Sequence, residues 1–382
     1  MTECLEAALG EDQNTDCDLI ILYASMGHNF PELLQRAREM APSAIIAGGS
    51  CAGIVGREGV SESMKDVAIM TARCEPGEIV AANVDGLNGN SSFDKGCELG
   101  QRLRAQNPGI RQVFFLATGI DISNDQCIAG LEYELGKDVE VMGATTADKM
   151  KGESNFQFFD THVYEDGALA IGFADPTLEA LSRATHGFVA VGEPMTVTRS
   201  EANRIIELDG QDAWEVYTKR LSLGSAAACA DTIPIGALAE ELPDELRQEY
   251  GSDHILRVVT HRSEDGALLY ATDCPVGTKL WLTIRDEDRI YSELDRAVNL
   301  ISIQSGQRSP VAVFHADCVA RGRFMFSRIM KDELVYSMQH PFLDDGEVPP
   351  WLGIYGFGEF AKLGGRNTFH NYTSSICALY RR

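Results

Sequence analysis

The sequence predicts an α/β fold of two domains, with mixed sheets, repeated strand–helix–strand units and hairpins, and a ligand crevice at glycine-rich strand ends. Two observations carry this. Three apolar runs each end in a turn of small residues: Ala44-Ile-Ile-Ala-Gly-Gly-Ser-Cys-Ala-Gly53, Val139-Glu-Val-Met-Gly-Ala-Thr-Thr-Ala-Asp148 and Leu352-Gly-Ile-Tyr-Gly-Phe-Gly-Glu-Phe-Ala361. Each lies downstream of another apolar run, at Leu19–Ala24, Gln112–Ala117 and Val311–His315, with a helical-looking segment between. A unit repeated in this way gathers backbone amides at one sheet edge, where open α/β sheets bind ligands.

Taken in order, residues 1–16 read as a polar leader with a helix over Glu3–Leu9. The first unit's helix, Pro31–Met40, sets Leu33, Leu34 and Ala37 on one face and has proline in its first turn. Strands follow at Val67–Ala72 and Ile79–Val84, then a helix over Phe93–Arg104. In the second unit Cys127, Ile128, Leu131 and Leu135 recur at helical spacing, with Ser123 or Asn124 placed to cap. Glu165-Asp-Gly167 between Phe156–Tyr164 and Ala168–Phe173 predicts a hairpin, because Asp-Gly tolerates positive φ. The same word recurs at 264–266, between Ile255–Thr260 and Leu268–Ala271. Further strands are expected at Pro194–Thr198 and Ile205–Leu208, and a helix over Gln211–Leu221. The small-residue stretch Gly224–Asp231 marks the boundary between a domain at 17–223 and one at 224–382. An amphipathic helix, Arg289–Gln304, precedes the third unit, and Ser374–Tyr380 reads as a closing strand.

Composition narrows the function. The chain has 382 residues, 44% of them hydrophobic and 24% charged, as in a folded soluble protein. Its net charge of −24, with no Lys/Arg cluster, argues against nucleic acid as a partner. The sequence has no apolar run of about 18 residues, so no membrane span is expected. The N-terminus is acidic where a signal peptide is basic, which predicts a cytoplasmic protein. Ten scattered cysteines without a CxxC read as reduced, mostly buried thiols, and a zinc site built from them is not expected. No Lys-Ser/Thr follows the glycine turns and no GxGxxG follows the first strand, so nucleotide binding is not expected either.

Several stretches resemble the FIST family, a sensory module of FIST N and FIST C domains. They are Gly48-Gly-Ser-Cys-Ala-Gly53, residues 185–203 from Thr185-His-Gly-Phe to Glu-Ala-Asn203, Glu207–Tyr217, Asp317-Cys-Val-Ala-Arg-Gly-Arg323, Gly356–Ala361 and Phe369-His-Asn-Tyr-Thr373. The resemblance spans about residues 17–380. Phe188 stands where Trp is expected, and the second repeat, 143–148, is looser than the first. The resemblance implies a small-ligand sensor, not an enzyme, that acts on a separate output partner. One branch binds haem b, senses nitric oxide and works with a histidine kinase or a cyclic-di-GMP enzyme. Amino acids are the other ligand class implied. Homo-oligomerisation stays open.

The expected ligand-binding set is Gly49, Ser50 and Cys51 of the first turn, Thr145 of the second, and Asp317, Cys318, Arg321, Gly358, Glu359 and His370 of the third unit. Arg321 suits a carboxylate or a haem propionate, and His315 is the expected haem iron ligand, with Cys318 as the thiolate alternative. The competing reading makes Cys318 packing and Asp317–Arg321 an internal ion pair. The glycine turns have a packing alternative too, in tight strand-to-helix contact. The resemblance gives His370 and His186 positioning roles; His28 and His340 match none of its motifs and read as surface residues, with ligation special to a haem branch as the alternative. A third reading makes Cys318 an enzyme's nucleophile, with His315 or His370 as base and Glu359 as orienter. That chemistry requires a depressed thiol pKa.

Overall fold

The structure, a computed structural model, describes residues 2–9, 17–149, 151–322 and 325–382. The leader's residues 10–16 and Arg323 of the 317–323 motif therefore lie outside the described residues; the leader's helix runs Thr2–Leu9.

All three predicted units form. The first is β1 (Leu19–Ser25), α1 (Phe30–Met40) and β2 (Ile45–Cys51). The second is β3 (Gln112–Ala117), α2 (Asn124–Leu135) and β4 (Glu140–Thr145). The third is β5 (Ala312–Cys318), α3 (Arg328–Gln339) and β6 (Trp351–Gly356). Within each unit the two strands pair in parallel. Asn29 caps α1 by accepting from Glu32 N, and Ser327 caps α3 by accepting from Met330 N. Ser123 stands at the N-cap of α2, but its hydroxyl bonds Asp125 and Asp273 instead of the helix amides.

Alternation along the strands sets the layering, since successive side chains point to opposite faces. Leu19, Ile21 and Tyr23 of β1 share one core with Phe114 and Leu116 of β3, Met142 and Ala144 of β4, Phe314 and Ala316 of β5, and Leu352 and Ile354 of β6. The intervening residues face helices. Ile20, Leu22 and Ala24 pack on Leu34 and Ala37 of α1. Val113, Phe115 and Ala117 pack on Cys127, Ile128 and Leu131 of α2. Val313, Trp351 and Tyr355 pack on Leu334, Val335 and Met338 of α3 and on the helix Glu287–Gln304. Three α/β layers thus surround a common apolar core.

The remaining strands complete the sheets. After β6 come β7 (Gly358–Leu363), β8 (Arg366–His370) and β9 (Ser374–Arg381). β7 pairs with β4 of the second unit, and β9 pairs with β5 and with Leu178–Thr185. Strand Gly53–Gly56, which follows β2, pairs with β6. Sheets therefore draw strands from both sides of residue 223. A fourth, antiparallel sheet takes its strands from the range 188–285 and packs around Trp214, Tyr217 and Leu280.

The predicted hairpin at Glu165–Gly167 does not form. Asp160-Thr161 makes the hairpin instead, joining Gln157–Phe159 to His162–Tyr164, and the chain then crosses to another sheet, where Ala168–Phe173 pairs with Ile79–Val84 and with β3. The second Asp-Gly, at 265–266, does close a hairpin between Val259–Arg262 and Leu268–Tyr270.

Candidate functional site

Each unit's second strand carries a glycine opposite the same position of its first strand: Gly48 faces Leu22, Gly143 faces Phe115 and Gly353 faces His315. In the first two units glycine is obligatory, because a Cβ would stand 1.8 Å from Leu22 O or 2.0 Å from Phe115 O. This register aligns the units residue by residue. The helix-facing pair is Leu22 and Ala24 in β1, Phe115 and Ala117 in β3, and His315 and Asp317 in β5. The third unit alone puts a polar column under its helix.

Four residues beyond Asp317, a 3-10 turn (Val319–Arg321) returns Arg321 onto it. Arg321 is 1% exposed. Its Nε donates to Asp317 Oδ1 at 2.8 Å and its Nη1 to the carbonyl of His186 at 3.1 Å. Asp317 and Arg321 are thus an internal ion pair, one of the two alternatives the sequence allowed. His315 Nε2 lies 3.0 Å from Ser374 Oγ and 3.4 Å from Asp317 Oδ2. On the neighbouring β7, Glu359 is fully buried and its Oε2 accepts from Thr373 Oγ1 at 2.7 Å and Thr373 N at 3.3 Å. Burial pushes the Glu359 carboxyl well above its ordinary range, disfavouring the charged form.

Two histidines close the seam. His186 Nδ1 accepts from Phe188 N and its Nε2 donates to His254 O; His370 Nδ1 accepts from Tyr250 Oη and its Nε2 donates to Ala361 O. The backbone donor on His186 Nδ1 needs the neutral ring there, and burial pulls both rings down to about 3. The ring of His370 bonds Ala361 of β7 and Tyr250 of the helix Asp244–Tyr250, and in the ladder His370 stands opposite Glu359.

Among the described residues, the seam leaves buried polar atoms without partners: Arg321 Nη2, Glu359 Oε1, His315 Nδ1 and Thr145 Oγ1. Thr145 pairs with Gly358, next to Glu359. Each such atom costs about 1–3 kcal/mol unless water or a ligand reaches it. The first turn has fewer openings. Ser50 Oγ donates to Ala147 O and accepts from Phe156 N, and a Cβ on Gly49 would lie 2.3 Å from Thr146 Cγ2. Cys51 is fully buried in the common core. Burial raises the Cys318 thiol well above its ordinary value, the opposite of nucleophile activation.

A porphyrin does not fit at His315. The ring is wedged against Ser374, Asp317 and the Trp351 indole, a Cβ on Gly353 would come within 2.9 Å of Nδ1, and the cavity His315 touches holds about 10 Å³, room for about one water. His28 is half-buried in the turn after β1, and His340 is exposed beside Tyr336. Among the described residues no helix is long and apolar enough to cross a membrane. Sequence reasoning missed Tyr250 and Ser374; no local pattern marks either one.

Comparison with known proteins supports the resemblance. Two uncharacterized proteins of Mycobacterium tuberculosis, from strains CDC 1551 / Oshkosh and ATCC 25618 / H37Rv, are each 24% identical over 253 residues, 65% of this chain and 63% of theirs. The chain thus matches under two thirds of these relatives' length. A crystal structure of a chorismatase aligns over 97% of this chain and 94% of its own at 8% identity, with a TM-score of 0.34, too low to fix fold or function. The FIST N domain model matches residues 18–211 and the FIST C domain model residues 213–362, which points to a sensory, small-ligand-binding role. The chain belongs to the FIST family.

Proposed function

We propose that this protein is a sensor of a free amino acid, bound in the seam around Arg321 and reported to a separate partner, such as the histidine kinase or cyclic-di-GMP enzyme the family resemblance implies. The observation that carries this reading is the set of unpartnered buried atoms on Arg321, Glu359 and His315, in the one unit whose helix-facing column is polar. Arg321 Nη2 is a donor suited to a ligand carboxylate. Charge favours a zwitterion over a simple anion. Arg321 and Asp317 already cancel and burial disfavours a charge on Glu359, so a bare carboxylate would add an unpaired buried charge. Because Arg321 is buried on a short 3-10 turn, a ligand reaches it only if that turn opens, which couples binding to a change of shape.

The test is a thermal-shift and calorimetric screen of the full chain against the amino acids. One should stabilise it, by about 2.7 kcal/mol at a hundredfold excess over Kd. Glu359→Gln, isosteric and uncharged, should weaken that ligand at least tenfold, and Arg321→Lys should abolish binding. Unchanged affinity in both variants would remove the seam as the site.

A further inference from the structure

We infer that the protein has a second binding site, distinct from the seam, in an apolar cavity of about 260 Å³ at the opposite end of the common core, and that it takes a small uncharged apolar molecule about the size of a bicyclic aromatic. Its wall includes Leu19 and Ile21 at the start of β1, Phe314 near the start of β5, Leu379 near the end of β9, Phe173 and Met70. The seam residues lie at the other ends of these strands, on and beyond Asp317.

Three features set the ligand's chemistry. The first is size. An apolar cavity of about 150 Å³ stays dry and binds benzene, and small-molecule pockets begin near 300 Å³. The second is the lining. Phe173 and Phe314 stand with ring centroids 6.3 Å apart at 41°, leaving faces and edges for an aromatic guest. The third is charge. The charged lining residues balance, Arg73 and Arg381 against Glu78 and Asp175, and Asp175 accepts from Arg381 Nη1 at 2.8 Å and from Thr177 N and Oγ1. Among the described residues, no lining side chain has a buried polar atom without a partner. The seam has several, and this contrast separates a polar ligand there from an apolar one here. The chain's own segment before β1, Gly10-Glu-Asp-Gln-Asn-Thr-Asp16, has no apolar side chain with which to fill the space. The cavity is bordered by strands of all three sheets that surround the core, so an occupant touches all three layers at once.

The experiment titrates the full chain with indole and with indole-3-carboxylate, by calorimetry and thermal shift. Two variants fill the space from different walls, Ala312→Phe and Leu178→Trp, and Arg321→Lys serves as the seam control. Indole should bind the native chain and raise its Tm, with at least tenfold weaker binding in each folded filling variant and none of that loss in Arg321→Lys. Indole failing to bind at millimolar concentration, or binding both filling variants unchanged, would overturn the site. Tenfold tighter binding of the carboxylate would overturn the uncharged class. Loss of indole binding in Arg321→Lys alone would return the ligand to the seam.

Discussion

The first two strand–helix–strand units and the third solve one geometric problem with different chemistry. All three lay a parallel strand against its partner through a glycine in the same register, and all three cover the outer face with helix. Under that helix the first two bury Leu22 and Ala24 or Phe115 and Ala117, whose burial stabilises the layer by apolar contact. The third buries His315 and Asp317 at the same places, adds Arg321, and leaves hydrogen-bonding capacity unused. A scaffold built three times gains nothing in stability from the polar version, and the proposed amino-acid site rests on that difference.

The sharpest way to break the comparison is at the register glycines. Gly143→Ala would drive a methyl to 2.0 Å from the Phe115 carbonyl, at φ +133, and Gly48→Ala to 1.8 Å from the Leu22 carbonyl. Backbone in a central strand cannot yield, and each variant is expected to lose about 5 kcal/mol or more, or not to fold. In the third unit the same methyl first meets side chains, Val55 Cβ at 2.8 Å and His315 Nδ1 at 2.9 Å. Gly353→Ala should cost about 1–3 kcal/mol, as overpacking does. Urea denaturation reads all three. Equal losses would show that the third unit is no looser at this point than the others.

Next in size is the ion pair. Arg321→Met leaves Asp317 buried and unpaired and should cost about 3–5 kcal/mol, while Asp317→Leu with Arg321→Met should recover most of that. A double variant as unstable as the single one would mean that Arg321 holds the fold chiefly through His186 O.

These residues also show what the sequence made legible. The i, i+4 spacing of Asp317 and Arg321 made their pairing readable. The strands at Val67–Ala72, Ile79–Val84 and Ala168–Phe173 coincide with the apolar runs that announce them. What failed was non-local. Asp166-Gly167 signals a reversal but cannot say which strand the chain will meet, and Ala168–Phe173 pairs far from the turn. The carbonyl that Arg321 reaches is 135 residues away, and the partner of His370 is Tyr250, on a helix with no motif of its own. The burial that pushes the Glu359 carboxyl up, and the 260 Å³ cavity, exist only once three sheets close on each other; no single strand records them.

The neutral histidines of the seam predict an acid-side loss of stability. For His186 and His370 the folded state resists protonation down to about 3, while the unfolded chain takes up protons near 6.5. The stabilisation is therefore complete above the unfolded value and is lost as pH falls through it. Each group should remove about 1 kcal/mol between pH 6.5 and 5.5, seen as a falling urea midpoint. Glu359 acts with the opposite sign. Its raised folded value gives stability that is full below the unfolded carboxylate range and declines as pH rises above it, opposing the histidines, so Glu359→Gln should flatten the alkaline side and steepen the acid-side fall.

The smallest expected effect is also the most discriminating. His315→Leu writes the first unit's residue into the third. It removes the 3.0 Å contact with Ser374 Oγ and the neighbour of Asp317 Oδ2, but it also removes an unpartnered buried Nδ1 and sets an apolar side chain against Trp351 in the α3-facing layer. A lost hydrogen bond of about 1 kcal/mol and a relieved buried nitrogen of similar size nearly cancel, so denaturation should shift by about 1 kcal/mol or less. Amino-acid binding, by contrast, should weaken at least tenfold. If the variant instead loses 3 kcal/mol and binds as before, His315 is framework, and the polar column of the third unit is an alternative way to fill the space under a helix, with the ligand elsewhere.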